Sequence, residues 1–389
     1  MEIRIDTKSL SITLGSMLAI VEKTNVKPIL SNVLLVAKSG KFTISASDAS
    51  TYASKDHNVH LKTQGSTTAS ARMLNDIVRK ISDEEITIKY LEQNEQLQIK
   101  GNNCEFTLPT LSSGQFPSIE NFAPAVELSI VTKDLAKILE KTVFSVSHEE
   151  TRYNLNGVCL HVSLESQSML RAASTDCHRL SFSSCPVKEK CKNFEIILPR
   201  KTTEEFIKLS KSSISENLQI ALNDRLIKIS NENTMMVSKL IDGKFPEYKS
   251  LIPSKNINVL TIDSEYFGEV ISRVSTITTG AIEKLRTIQI KINIEQMHVS
   301  AYGNSYTSAN ETVKFSNKDQ PSLSYLGEEL ITGFNPRYLL EVLRAVGKTD
   351  IEIFFGASLS PILIKPKNDV NTSFVVMPIK VATSNPEAK

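Results

Sequence analysis

Asp176-Cys177-His178-Arg179 places a nucleophile, a base and two charges on four consecutive residues. A thiol becomes a nucleophile when a neighbouring base takes its proton. Consecutive residues of an extended segment point to opposite faces, however, so Cys177 and His178 are badly placed to form a hydrogen-bonded pair. Two other readings compete with catalysis: a turn in which the Asp carboxylate accepts from nearby backbone N–H groups, and a surface pocket lined by that turn. The chain has no GxxxxGKS/T loop, no HExxH, no GxSxG and no GxGxxG following a strand. An enzyme using the Cys177/His178 region is therefore the alternative reading, and a non-catalytic binding protein the leading one.

The turn is one of three. Asp176 lies 128 residues after Asp48 and 128 before Asn304. The surrounding segments KFTISASDASTYAS, LRAASTDCHRLSFS and HVSAYGNSYTSAN share a strand-like run, a polar turn and a second run of small and β-favouring residues. A period this long repeats whole domains, not the short units of a solenoid. Ala49-Ser50-Thr51 and Ser305-Tyr306-Thr307 replace Cys177-His178-Arg179 in the other copies. The middle copy has thus acquired side chains that the others lack, which favours the pocket.

The elements that must hold these turns recur in the same order. Apolar residues at i, i+3/i+4 spacing predict helices over 14–23, 134–143 and 266–275, and again over 72–81, 201–210 and 337–346. Closing strands recur as FTLPTL (106–111), MVSKLI (236–241) and FVVMPI (374–379). Stretches 112–127 and 242–258 each carry Phe-Pro, a break suited to a chain leaving one sheet edge for the next domain. The expected architecture is α+β: three similar domains over 1–125, 126–254 and 255–380, each with two helices and antiparallel sheets, then a polar tail over 381–389 that frays.

Composition agrees. With 389 residues, 40% of them hydrophobic, the chain can build about three ordinary cores. Lys+Arg 45 against Asp+Glu 43 leaves a net charge of +2, so any nucleic-acid contact must come from local patches. Five cysteines without a CxxC pair favour neither a disulfide framework nor a zinc knuckle, and no metal or cofactor is expected. No apolar run of about 18 residues and no charged-then-apolar leader is present. A cytoplasmic chain without membrane association is expected.

RYNLNG (152–157), STDCHRLSF (174–182), LIDGKFPEY (240–248) and VVMPI (375–379) stand in order within a likeness that runs from KPILSNVLL (27–35) to Lys380. Together they resemble the bacterial DNA polymerase III β subunit family, the replicative sliding clamps. The resemblance implies a DNA clamp fold whose two protomers join head to tail in a closed ring around duplex DNA, without sequence preference. It implies a processivity factor for the replicative polymerase, and a docking platform for the polymerase alpha subunit, the clamp loader delta subunit, other polymerases and repair proteins. A topological link with loose phosphate contacts permits sliding. Tyr153 occupies a DNA-contacting position of the family, and Arg79, Lys80, Lys137, Lys141, Lys201 and Arg337 on the predicted helices offer further contacts.

The family's partners insert a short extended peptide into a mainly apolar cleft between the second and third domains. The matching positions here are Leu155, Thr175, Cys177, His178, Arg179, Leu180, Pro246, Leu251, Val375, Met377, Pro378 and Ile379, with Asn335 and Tyr338 at the rim. Cys177 stands where Gly is common, Ser250 where a basic residue is common, and Ile379 where Met is common. For the dimer interface the resemblance points to Phe106 and Leu108, which share a strand face, meeting Thr276 and Ile277 at a helix end.

Overall fold

A computed structural model describes residues 1–22, 27–118, 122–162, 168–188, 191–211, 216–278, 287–303, 307–316 and 322–380. Asn304, Ser305 and Tyr306 of the third turn, and the 381–389 tail, lie outside the described residues.

The first repeat runs β1 (Glu2–Asp6), α1 (Thr7–Met17), β2 (Asn32–Lys38), β3 (Lys41–Ser47), β4 (Thr51–Asn58), β5 (His60–Thr63), β6 (Gly65–Ser70), α2 (Ala71–Val78), β7 (Glu85–Leu91), β8 (Gln96–Lys100) and β9 (Glu105–Leu111). The second runs β10 (Val126–Val131), α3 (Thr132–Glu140), β11 (Gly157–Val162), β12 (Met169–Thr175), β13 (Arg179–Pro186), β14 (Phe194–Pro199), α4 (Arg200–Lys211), β15 (Asn217–Leu222), β16 (Leu226–Ser230) and β17 (Thr234–Lys239). The third runs β18 (Asn258–Asp263), α5 (Ser264–Ser275), β19 (Ile288–Ile292), β20 (Gln296–Tyr302), β21 (Ser308–Lys314), β22 (Ser324–Leu326), β23 (Leu330–Phe334), α6 (Pro336–Val346), β24 (Asp350–Phe355), β25 (Ile362–Pro366) and β26 (Thr372–Val376). One order of strand, helix, four strands, helix and three strands serves all three copies, with β5 and β22 as additions.

Five helices fall where the apolar spacing puts them, and α1 does not. It starts at Thr7 because the Asp6 carboxylate accepts from Ser9 N at 2.6 Å, capping the first turn, and it buries Leu10, Leu14 and Met17. The apolar residues that suggested a helix over 14–23 include Ile20 and Val21, which are buried in the turn after the helix.

The copies are joined strand to strand. β17 pairs antiparallel with β4, from Thr234 opposite Lys55 to Ser238 opposite Thr51, and β26 pairs with β13, from Val376 opposite Arg179 to Thr372 opposite Ser183. The middle copy therefore shares one sheet with its predecessor and another with its successor. For that reason the chain packs as two compact units, Met1–Ala136 with His161–Met169 and Pro186–Asp242, and Lys137–Leu160 with Leu170–Cys185 and Gly243–Lys389.

The first unit carries a thirteen-stranded sheet in the order β10-β15-β16-β17-β4-β3-β2-β6-β9-β8-β7-β1-β5. Leu74 and Val78 of α2 join the α1 residues in its core. In the second unit, strands follow the order β11-β12-β13-β26-β25-β24-β18-β22, beside a four-stranded sheet β21-β20-β19-β23. Phe267, Val270, Ile271 and Val274 of α5 and Leu339, Val342, Leu343 and Val346 of α6 meet Ile353, Ile364 and Phe374 in its core. Burial of each such side chain contributes roughly 1.5–3 kcal/mol. Among the described residues no helix is long and apolar enough to cross a membrane.

Candidate functional site

The Asp turn is built the same way in the first two copies. Asp48 Oδ1 accepts from Ser50 N at 2.9 Å and Thr51 N at 2.6 Å, and Asp176 Oδ1 accepts from His178 N and Arg179 N, both at 3.0 Å. Ser47 Oγ accepts from Ala49 N, and Thr175 Oγ1 from Cys177 N, each at 3.1 Å. The residue after the Asp is left-handed in both, with φ of 72° at Ala49 and 71° at Cys177. That conformation suits glycine, so both copies hold a side chain against the backbone preference.

From this common frame the second copy builds a wall. Arg179 is 6% exposed, so its charge must be satisfied internally. Its Nε donates to Asp176 at 3.0 Å, Nη1 to Glu341 on α6, and Nη2 to the Phe144 carbonyl at 2.8 Å. The guanidinium lies over the rings of Tyr338 and Phe144, 4.7 and 5.1 Å from their centroids. His178 stacks on Tyr338 with 5.8 Å between centroids. Burial pushes the Glu341 carboxyl up, but the bonds from Arg337 and Arg179 outweigh it and hold the group below its usual range.

The positions expected to line the cleft all fall in the second compact unit. Met377 N donates to the His178 carbonyl at 2.8 Å, and Ile379 N to the Gly333 carbonyl at 2.8 Å, which fixes the chain beyond β26 alongside the turn. Cys177, His178, Pro246, Leu251 and Met377 are exposed, while Tyr338, Pro378 and Ile379 are half-buried. Leu155, Thr175, Leu180 and Val375 are buried and form the support rather than the surface. Asn335 is buried too and acts as the N-cap of α6, its Oδ1 accepting from Arg337 N at 3.0 Å.

Cys177 Sγ accepts from Arg152 Nη1 at 2.9 Å while His178 lies against Tyr338, so the two do not pair as nucleophile and base. Among the described residues no group of three His, Cys, Asp or Glu is placed to hold a metal ion.

The basic residues divide. Arg79 and Lys80, at the end of α2, are exposed, and Tyr153 is 60% exposed. Lys137 reaches Asp369 at 2.9 Å, Arg337 reaches Glu341 at 2.8 Å, and Lys201 meets Asp48, each from a side chain at least half exposed. Lys141 departs from the expectation of a DNA-facing charge: it is buried, and its ammonium donates to Asp369 at 2.7 Å. A lysine in that position closes an internal pair. Burial raises the Asp369 carboxyl, but the bonds from Lys141 and Lys137 prevail and bring it to about 2.

Phe106 and Leu108 do share a face, and it is the core-facing one. They lie opposite Ile99 and Leu97, both fully buried. Leu108 is 3% exposed and has little side-chain surface to offer a partner, whereas Phe106 is half-buried. Thr276 is exposed and Ile277 half-buried at the end of α5.

Sequence reasoning missed Phe144, Arg152, Glu341 and Asp369. Arg152 opens the RYNLNG segment without having been given a role, and Glu341 left a local signal four residues after Arg337 on the same helix face.

Tandem two-helix domains joined through their sheets define a sliding-clamp fold. Family models for the DNA polymerase III beta subunit match residues 1–120 (N-terminal domain), 129–247 (central domain) and 249–380 (C-terminal domain). The beta sliding clamp of Rickettsia felis is 40% identical over 381 residues, covering 97% of this chain and 99% of its own, and that of Caulobacter vibrioides is 31% identical over 384 residues, covering 98% and 100%. Among solved structures, the Pseudomonas aeruginosa sliding clamp bound to griselimycin superposes with a TM-score of 0.89 at 27% identity, over 98% of this chain and 100% of that one. The Caulobacter crescentus clamp gives 0.86 at 30% identity, with the same coverage of each chain. This chain belongs to the DNA polymerase III beta subunit family, the beta sliding clamps: non-catalytic processivity factors of that polymerase.

Proposed function

We propose that two copies of this chain close head to tail into a ring around duplex DNA, and that the cleft beside β13 and β26 receives a short extended peptide from the polymerase, the clamp loader and repair proteins. The observation that carries the ring is the repeated strand join. β17 docks on β4 and β26 docks on β13, so the closing strand of each later copy meets the strand after the Asp turn of the copy before it. By the same rule β9 must meet a β21, which the other protomer supplies.

Both strands have a side to offer. β21 is the edge of its four-stranded sheet, and Glu105–Pro109 of β9 pair with β8 on one side while β6 reaches only Thr110 and Leu111. The two observed registers, carried over, set Leu108 opposite Thr307 and Phe106 opposite Ala309. A head-to-tail contact that closes at two subunits removes exposed sheet edges from both ends. It also gives Leu108 a backbone role in the interface, which its buried side chain does not preclude.

Arg79, Lys80, Tyr153 and the partly exposed Lys137, Lys201 and Arg337 supply loose contacts to phosphate. Several of these cations are shared with acidic neighbours, which limits tight, immobilising ion pairs. Affinity for DNA then comes from topology. The test is retention: loaded by its clamp loader on nicked circular DNA, the protein should stay bound and should be lost once the circle is linearised. Equal retention on both forms overturns the ring.

A further inference from the structure

We propose that the junction between the first and second domains carries a second ligand site, a cavity that takes a short extended acidic peptide. The cavity, of about 80 Å³, lies beside the Asp48 turn, with Ala49, Ser50, Pro117, Leu226, Val237 and Lys239 in its lining. Its backbone frame repeats that of the cleft beside Asp176. Lys239 N donates to the Ser50 carbonyl at 2.9 Å, as Met377 N does to that of His178 at 2.8 Å, and Ala49 and Cys177 share one left-handed conformation. Pro117 and Pro246 follow the two Phe residues of the linkers, and Val237 and Val375 sit at the same place on the closing strands.

The side chains on that frame differ, and the difference defines the occupant. Ser50 replaces the His178 ring and Lys239 replaces the Met377 thioether. Ala49, Pro117, Leu226 and Val237 leave an apolar floor with room for a small side chain, and hydroxyls around it suit the main chain of an extended peptide. Lys239 is exposed and, among the described residues, is the single charged one in the lining, so the complementary group is a carboxylate. Asp48 does not cancel it, because that carboxylate is held by Ser50 N, Thr51 N and Lys201.

The peptide class rests on the reading of the cleft as a peptide site, so the experiment reports both places at once. The full chain, with isotope-labelled Ala, Leu, Val and Met methyl groups, is titrated with Ac-Gly-Asp-Leu-Gly-amide and followed by methyl NMR. The methyls of Ala49, Leu226 and Val237 should shift saturably, and replacing Asp by Asn in the probe should weaken binding measurably, by up to roughly five-fold, the upper end for loss of one exposed charge pair. Lys239→Gln should remove that preference, and Lys239→Glu should transfer it to the probe carrying Lys. Unsaturable shifts, equal affinity for the Asp, Asn and Lys probes, or the same shifts with sodium acetate alone would overturn the proposal. Val375 and Met377 methyls read the cleft in the same spectra when a polymerase-derived C-terminal peptide is added. Silence there refutes the cleft reading while the first-junction methyls still decide this one.

Discussion

Glu205 on α4 is 3% exposed, and among the described residues neither of its carboxylate oxygens has a hydrogen-bond partner. Burial pushes its carboxyl up; the Lys201 ammonium, 3.7 Å away, offsets part of this and Asp48 adds to it, leaving the group at about 7. A carboxyl raised on folding gives its full stability below the ordinary value of 4.5 and loses it as pH rises through about 7. Glu205→Gln should therefore stabilise the chain at about pH 8, by up to roughly 3 kcal/mol, with the gain shrinking toward pH 5. Urea unfolding at the two pH values checks this, and an equal effect at both would refute it. Asp369 has the opposite sign: its stabilisation is present above the ordinary carboxylate range and is lost as pH falls through about 2. Both acids sit beside helix lysines. What separates them is the number of bonds each receives, which residue type alone does not reveal.

At the scale of elements, the Asp turn was legible because its chemistry is local: a carboxylate accepting backbone N–H groups two and three residues on needs no tertiary partner. The helices were legible from their apolar spacing except α1, whose start is set by the Asp6 cap while buried Ile20 and Val21 continue the apolar pattern past its end. Arg179 was expected to line a cleft, and its role as an internal brace was not legible, since Phe144 and Glu341 lie 35 and 162 residues away in sequence. Arg179→Ala should lower the unfolding free energy by about 3 kcal/mol, because it strips a buried ion-pair network of its centre. Arg179→Lys should recover only part of this, for an ammonium cannot span the three acceptors that the guanidinium fork reaches. Denaturant unfolding measures both, and a loss within the error for Arg179→Ala would remove the brace.

At the scale of the whole molecule, the proposed ring depends on a contact that one protomer cannot display. Thr276 and Ile277 follow the helix that packs on β21, Thr276 exposed and Ile277 half-buried against the core, and acidic residues there should place charge in the proposed interface. The double substitution Thr276→Asp with Ile277→Asp should give the native mass of one protomer at micromolar concentration, against two for the unaltered chain. An unchanged dimer mass would place the interface elsewhere. By itself the sequence determined that one domain is written three times, that its turns and most helices recur in order, and which family it resembles, because these depend on residue type at short or regular spacing. Tertiary structure decided which charges remain available. It turned Lys141 inward to Asp369, seated Leu108 in its own core, and gave the Asp48 turn the same backbone frame as the Asp176 turn. Those outcomes are set by pairings between residues far apart in the chain, where strand register and burial, rather than local spacing, choose the partner.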